Sequence, residues 1–293
     1  MSDAPWPAPA KLNLFLHVTG RRPDGYHELQ TLFQLVDLED RLYFRVRRDG
    51  VIARSGTPTG WDPADDLAVR AAAILRTKAA NFDLGVDIVV EKHIPVGGGM
   101  GGGSSDAATT LVALNALWGL RFSTDRLAGW GLELGADVPL FVRGYTALAR
   151  GVGEHLEPAD VPPAAFAIVF PGVAAPTAEA FQAPELTRNS PVITIPGFLS
   201  SDWYARALPG RNDLEPVVAA RHPAVRAALE WLGARGAARL TGSGACVFAA
   251  FGTESGAHAA LAGLPADWTG MVARGLARSP LAARAAAEQS EAR

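Results

Sequence analysis

Residues 94–109 read IPVGGGMGGGSSDAAT, and six of the seven residues from Gly97 to Gly103 are glycine. Glycine loses more conformational freedom on folding than any other residue, and each ordered residue costs roughly 1–2 kcal/mol of backbone entropy. A flexible linker carries such a run only between linker-like neighbours, and these neighbours are structured. Upstream, Val86-Asp87-Ile88-Val89-Val90-Glu91 has the β-branched, partly alternating pattern of a strand. Downstream, Ala107, Ala108, Leu111, Leu114 and Trp118 recur on one helical face. Ser104, Ser105 and Asp106 are residue types that start helices, because their short side-chain oxygens accept bonds from unpaired amides. A strand, a glycine loop and a helix N-terminus together offer free N–H groups and the positive end of a helix dipole, which suits phosphate.

Two phosphate-loop templates can be tested by spacing. Gly97-x-Gly99-x-x-Gly102 matches the dinucleotide fingerprint formally, but Lys92–Val96 separate it from the strand. The nearest acidic partner, Asp125, falls at a helix start rather than at the end of a strand. In the P-loop template, Ser104 stands where lysine is required. A phosphate site without that lysine needs a cation from elsewhere, and Lys92 and Lys11 are the candidates.

The bulk composition narrows the class. The chain has 293 residues, 48% hydrophobic and 19% charged, enough for two domains with their own cores. A net charge of −3 gives no field that attracts nucleic acid or an anionic membrane. One cysteine, Cys246, excludes an internal disulfide and a thiolate zinc site, and it sits in an apolar run as a buried structural thiol. Met1–Pro7 lacks a signal-peptide pattern, and no unbroken stretch of 18 apolar residues occurs, so a cytoplasmic enzyme is expected.

Along the chain, residues 10–18 read as a strand with Lys11 and Asn13 two apart on one face, followed by an Arg22-Pro23-Asp24-Gly25 turn. Strands are expected at 32–36, 41–46, 86–91 and 166–170, and a glycine turn leads into a strand over 239–249. Helices are expected at 67–80, 104–118, 125–134, 177–182, 200–207, 213–220, 223–234 and 281–292. Pro158, Pro162 and Pro163 punctuate the midpoint as a domain boundary. The uneven alternation favours an α+β fold.

Three segments stand out together: PAKLNLFLHVTGRRPDGYHEL (9–29), the glycine loop, and LTGSGACVFA (240–249). With Gly135-Ala136-Asp137-Val138-Pro139, their order and spacing resemble the GHMP family of small-molecule kinases over nearly the whole chain. The Pro-Ala-Lys-Leu-Asn-Leu and Gly-Tyr-His segments are the specific part. They resemble the members that phosphorylate a cytidine diphosphate methylerythritol in non-mevalonate isoprenoid biosynthesis. The resemblance implies an N-terminal ATP-binding domain (1–157) with a left-handed β-α-β crossover and a C-terminal ferredoxin-like, substrate-binding domain (158–293). It implies ATP with Mg²⁺, whose ligands the sequence does not assign, and it leaves a homodimer open.

The resemblance also assigns roles. Asp137 matches the catalytic aspartate, which would accept the hydroxyl proton or orient the hydroxyl; its local sequence equally fits a loop or helix-cap residue. Lys11 matches the catalytic lysine, which would sit beside Asp137 and neutralise the transferring phosphoryl group. Asn13 would hydrogen-bond the substrate. Tyr26 and Phe181 would clamp cytosine between their rings, and His27 would read its edge. Pro95, Val96, Gly97, Gly98, Gly99, Met100, Gly101, Gly102, Gly103, Ser104 and Ser105 would wrap the ATP phosphates, with Ser105 a magnesium or phosphate contact and Lys92 near the nucleotide. Thr241, Gly242, Ser243 and Gly244 would support the phosphate loop and substrate. One departure stands at Asp65-Asp66-Leu67, where relatives often carry Asp-Asn-Leu near the adenine; an acceptor-only carboxylate cannot copy both amide bonds. The rival readings are a homoserine, mevalonate or sugar kinase of the same family, a nucleotide-binding module without catalysis, and a NAD oxidoreductase.

Overall fold

The computed structural model describes residues 4–56, 62, 65–194 and 210–291. Two long strands, β1 (Trp6–Arg21) and β2 (His27–Arg47), open the chain, joined by the Arg22–Gly25 turn. β2 fuses the strands expected at 32–36 and 41–46. Register shifts in β1 at Pro9/Ala10 and Asn13/Phe15 let the long ribbon bend without breaking. β3 (Ile52–Gly56), α1 (Leu67–Lys78) and β4 (Gly85–Glu91) follow, and the β3–β4 pairing is parallel.

Next come α2 (Gly102–Leu117), α3 (Thr124–Leu132), α4 (Val138–Arg143), β5 (Ala147–Gly151) and β6 (His155–Pro158). The second half holds β7 (Ala165–Phe170), α5 (Thr177–Gln182), α6 (Glu215–Arg221), α7 (Pro223–Gly233), β8 (Arg239–Leu240), β9 (Val247–Phe251), α8 (Glu254–Ala260), β10 (Thr269–Leu276) and α9 (Leu281–Glu291). The helix expected at 200–207 lies outside the described residues.

Mixed helices and antiparallel-rich sheet make this an α+β fold. A path β3-β4-β2-β10-β7-β9-β8 runs through both halves, because β10 pairs with β7 and also touches β2 at Val36 and Leu35. One core packs α1, α2 and α4 on the first strands, and a second gathers α5, α6, α7 and α8 around β7 and β9. A third cluster, including Leu12, Phe15, Ile94, Met100, Cys246 and Phe248, fills the junction. The last helix returns to the first core, where Leu281 and Ala285 are buried and Arg284 lies 4.5 Å from the Trp6 ring centroid. Among the described residues, no helix is long and apolar enough to cross a membrane.

Candidate active site

The helix after the glycine loop starts two residues earlier than expected. Gly101, at φ 74°, takes the N-cap position of α2 and supplies no side-chain cap. A serine cap would occupy the first amides of the helix, whereas a left-handed glycine leaves them open to a ligand. Gly99 explains a second glycine: at φ 76°, a Cβ there would lie 2.3 Å from the carbonyl oxygen of Thr241. That approach is close because the motif segments are bonded together through their backbones. Ala245 N–H donates to the Gly97 carbonyl at 3.0 Å and Cys246 N–H to that of Gly98 at 3.0 Å, while Lys11 N–H donates to Met100 at 3.0 Å.

Lys11 stands where these segments meet. Its ammonium is 3% exposed as a residue and donates to Asn13 Oδ1 at 2.6 Å and to the Gly99 carbonyl at 2.8 Å. It also lies 3.5 Å from Asp137 Oδ2. Asp137 occupies the N-cap position of α4 yet caps nothing: its backbone is helical and its side chain accepts no amide from the helix. The helix-cap alternative therefore fails, and the carboxylate, 30% exposed, faces the lysine instead.

Lys11, Asn13, Asp137, Gly99, Gly101 and Ser104 line one side of a cavity of about 820 Å³. Asn13, expected to meet substrate, is 1% exposed, and its Oδ1 is taken by Lys11 while its Nδ2 donates to Thr31 Oγ1 at 2.8 Å. Because β1 carries it on the same face as Lys11, it positions the ammonium.

The far side of the same cavity is lined by Tyr26, His27, Phe181 and Arg188. Tyr26 is 66% exposed. The His27 and Phe181 rings lie 5.1 Å apart at 32°. His27 Nε2 accepts from Arg188 Nε at 3.1 Å. Burial, then the charges of Arg188 and Arg21, hold the imidazole below its ordinary pKa, so it is neutral at pH 7.

Gly242 and Ser243 also line this cavity, with Ser243 Oγ 2.7 Å from Thr177 Oγ1. Thr241 and Gly244, expected at the substrate, stand behind the wall. Thr241 is fully buried and accepts from Asn13 N–H at 3.0 Å, and the Gly244 amide donates to the Thr241 carbonyl at 3.0 Å.

A second cavity of about 260 Å³ opens on the other side of the glycine loop, lined by residues 95–103 with Lys92, Asp66 and Asp106. One sequence expectation changes here. Ser105, expected at magnesium or phosphate, is fully buried and donates to the Pro9 carbonyl at 2.7 Å, because starting the helix at Gly102 turns it toward β1. Lys92 borders the cavity, but its ammonium bridges Asp106 at 2.7 Å and the fully buried Asp40. Burial opposes the Lys92 charge, yet Asp106 and Asp40 hold its pKa above the usual range. One ammonium between two carboxylates leaves an excess negative charge. Burial, and then Asp40's charge against Lys92's pull, lift Asp106 to about 7.

Asp66 answers its own departure from the expected asparagine. Its Oδ1 accepts from the Ala68 and Val69 amides at 2.9 and 3.2 Å as the N-cap of α1, and its Oδ2 lies 3.1 Å from Arg54 Nε. Residues that sequence reasoning missed include Arg54, Asp40 and Arg188, each contributed by a segment with no motif of its own.

Comparison with known proteins agrees with this geometry. Residues 66–145 match the GHMP kinases N-terminal domain and residues 199–270 the GHMP kinases C-terminal domain. A 4-diphosphocytidyl-2-C-methyl-D-erythritol kinase of Halorhodospira halophila is 55% identical over 279 residues, covering 94% of each chain. A crystal structure of 4-(cytidine 5'-diphospho)-2C-methyl-D-erythritol kinase superposes with TM-score 0.81 at 35% identity, covering 93% of this chain and 99% of that one. A homoserine kinase from Cytophaga hutchinsonii gives TM-score 0.68 at 17% identity over 94% of both chains, which speaks for the fold alone. Lysine and aspartate facing each other across a glycine cradle, on a fold matched along nearly its whole length, make this chain a member of the GHMP kinase family.

Proposed function

We propose that the chain transfers the γ-phosphoryl group of ATP to the 2-hydroxyl of 4-diphosphocytidyl-2-C-methyl-D-erythritol, giving the 2-phosphate and ADP. The observation that carries the reading is one continuous cavity with the Lys11–Asp137 pair at one end and Tyr26, His27 and Phe181 at the other. The substrate has the same two ends, an alcohol to be phosphorylated and a flat base. Stacking on an aromatic ring is worth ~1–3 kcal/mol per base. Homoserine or mevalonate would leave the aromatic end unused.

In the reaction, the 2-hydroxyl oxygen attacks the γ-phosphorus in line. The new O–P bond forms as the bridging bond to the β-phosphate breaks, and its electron pair leaves on ADP. Asp137 orients the hydroxyl and receives its proton. Lys11, held by Asn13 and the Gly99 carbonyl, sits beside the charge that develops on the transferring group. The open amides at the start of α2 hold the nucleotide phosphates, with Ser104 at the edge of the substrate cavity.

Magnesium bound with ATP would neutralise phosphate oxygens. Among the described residues, no group of three or more His, Cys, Asp and Glu side chains forms a cage. A division at 157/158 would put the phosphate loop in one part and Phe181 in the other, with substrate between them. The test is a phosphate-transfer assay with ATP and Mg²⁺ on the cytidine substrate, mevalonate and homoserine. Turnover confined to the first supports the reading; turnover of either other alcohol at a comparable kcat/KM sinks it.

A further inference from the structure

Arg188 spends its guanidinium in an unusual way. Nη1 donates to the Leu186 carbonyl at 3.1 Å, and Nη2 donates to those of Phe181 and Ala183 at 3.1 and 2.7 Å. Its Nε–H is directed at His27 Nε2 at 3.1 Å, and the charge of Glu185 is near enough to be felt without a hydrogen bond to it. Guanidinium is always a donor and never an acceptor. The nitrogen facing it must therefore offer a lone pair. In a neutral imidazole the proton then resides on the other nitrogen, Nδ1. Among the described residues no group bonds Nδ1, and His27 lines the large cavity.

We infer that Arg188 is a positioning residue that locks His27 in its Nδ1–H tautomer, so that the cavity meets the nucleobase with a hydrogen-bond donor. This rests on the cytidine reading above and deepens it. Cytosine carries two acceptors on its pairing edge, O2 and N3, and an Nδ1–H donor is matched to either. The same guanidinium grips the Phe181 carbonyl, so the edge reader and the stacking ring are set by one side chain. Their rings are already in contact at 5.1 Å. The lowered pKa of His27 agrees, since a nearby guanidinium opposes imidazolium.

The tautomer is read by ¹⁵N NMR of the full chain without substrate, so this inference is tested apart from the activity. Wild type is expected to show a protonated Nδ1 and a bare Nε2 for His27. A proton on Nε2 overturns the inference outright. In Arg188→Met, or Arg188→Lys where the methionine variant fails to fold, the imidazole should become a tautomer mixture. CDP affinity, measured calorimetrically, should fall roughly fivefold to tenfold, the worth of about one hydrogen bond, with ATP affinity unchanged. A double-mutant cycle isolates the route of action. In a His27→Asn background, where the amide nitrogen replaces Nδ1–H without needing a tautomer, removing Arg188 should cost little CDP affinity. An equal loss in both backgrounds shows that Arg188 serves only the loop and overturns the inference. Wild type that shows the Nδ1–H tautomer yet binds no CDP refutes the cytidine reading and leaves the tautomer assignment standing.

Discussion

Asp137 is useful because the helix behind it makes no claim on it. At an N-cap position a carboxylate ordinarily folds back onto the first amides. Here the residue's helical backbone directs the carboxylate toward Lys11, 3.5 Å away. Asp137→Asn is expected to keep ATP binding and to lose roughly 100-fold or more in kcat if the carboxylate takes the proton. Near-normal turnover with intact binding would reduce it to an orienting group.

Asp106 gives a second test with a definite sign. A carboxylate raised to about 7 in the folded state binds a proton that the unfolded chain has already released. Stability therefore falls as pH rises from the ordinary carboxylate range toward about 7. Asp106→Asn removes that cost and leaves Lys92 in a one-to-one pair with Asp40. Without nucleotide, its melting temperature should exceed wild type most at pH 8 and least at pH 5; the reverse order would refute the assignment. His27 has the opposite slope: its lowered pKa means stability is complete above the ordinary histidine range and declines as pH falls below it. At this scale the meeting of Lys11 and Asp137 was expected from the family resemblance alone, since locally they read as a solvated strand lysine and a turn aspartate. The sequence was opaque where a side chain's partner comes from a distant unmarked segment. Lys92 could not be seen to belong to Asp40, nor His27 to Arg188, since nothing local records either pairing.

Among the elements, the α2 helix and its preceding loop act as one unit. Its apolar spacing was readable from Ala107 to Trp118, but its first turn was not. Two serines and an aspartate advertise a cap, and a left-handed Gly101 took the position instead, because the open amides depend on having no side chain there. The long β2 strand was read as two for a related reason: polar Asp37, Glu39 and Asp40 interrupt the pattern, and β2 bulges at Asp37-Leu38, between the Val36–Ala10 and Glu39–Pro9 pairs, so that pairing carries on beyond. Gly99→Ala should be severe. A non-glycine residue in the left-handed region costs roughly 1–2 kcal/mol, and its methyl would also press on the Thr241 carbonyl at 2.3 Å. The expected result is a lower melting temperature and a lost ATP-induced thermal shift. An ATP shift of wild-type size would show that the loop does not hold the phosphates.

For the molecule as a whole, the midpoint prolines suggested two parts, whereas one strand path runs through both halves and α9 returns to the first core, which the sequence did not show. An alanine-rich tail carries too weak a pattern to name its partner. It packs on α2 and on Trp6, far along the chain. Deleting residues 281–293 re-exposes the ground under Leu281 and Ala285, a loss of at least about 2–3 kcal/mol by burial of one large side chain. On the proposal that the open amides of α2 hold the nucleotide phosphates, the truncated protein should lose ATP affinity along with melting temperature, and unchanged ATP affinity would separate the two roles.

The carbonyls of Gly97 and Gly98 receive the amides of Ala245 and Cys246, residues nearly 150 positions onward in the chain. Exchange of substrate preference between relatives thus has a seam that ignores the midpoint prolines. A chimera joined there would bring a foreign 240–246 turn against the native loop, and grafts that keep this turn with its own glycines should retain phosphate binding where simple half-swaps fail.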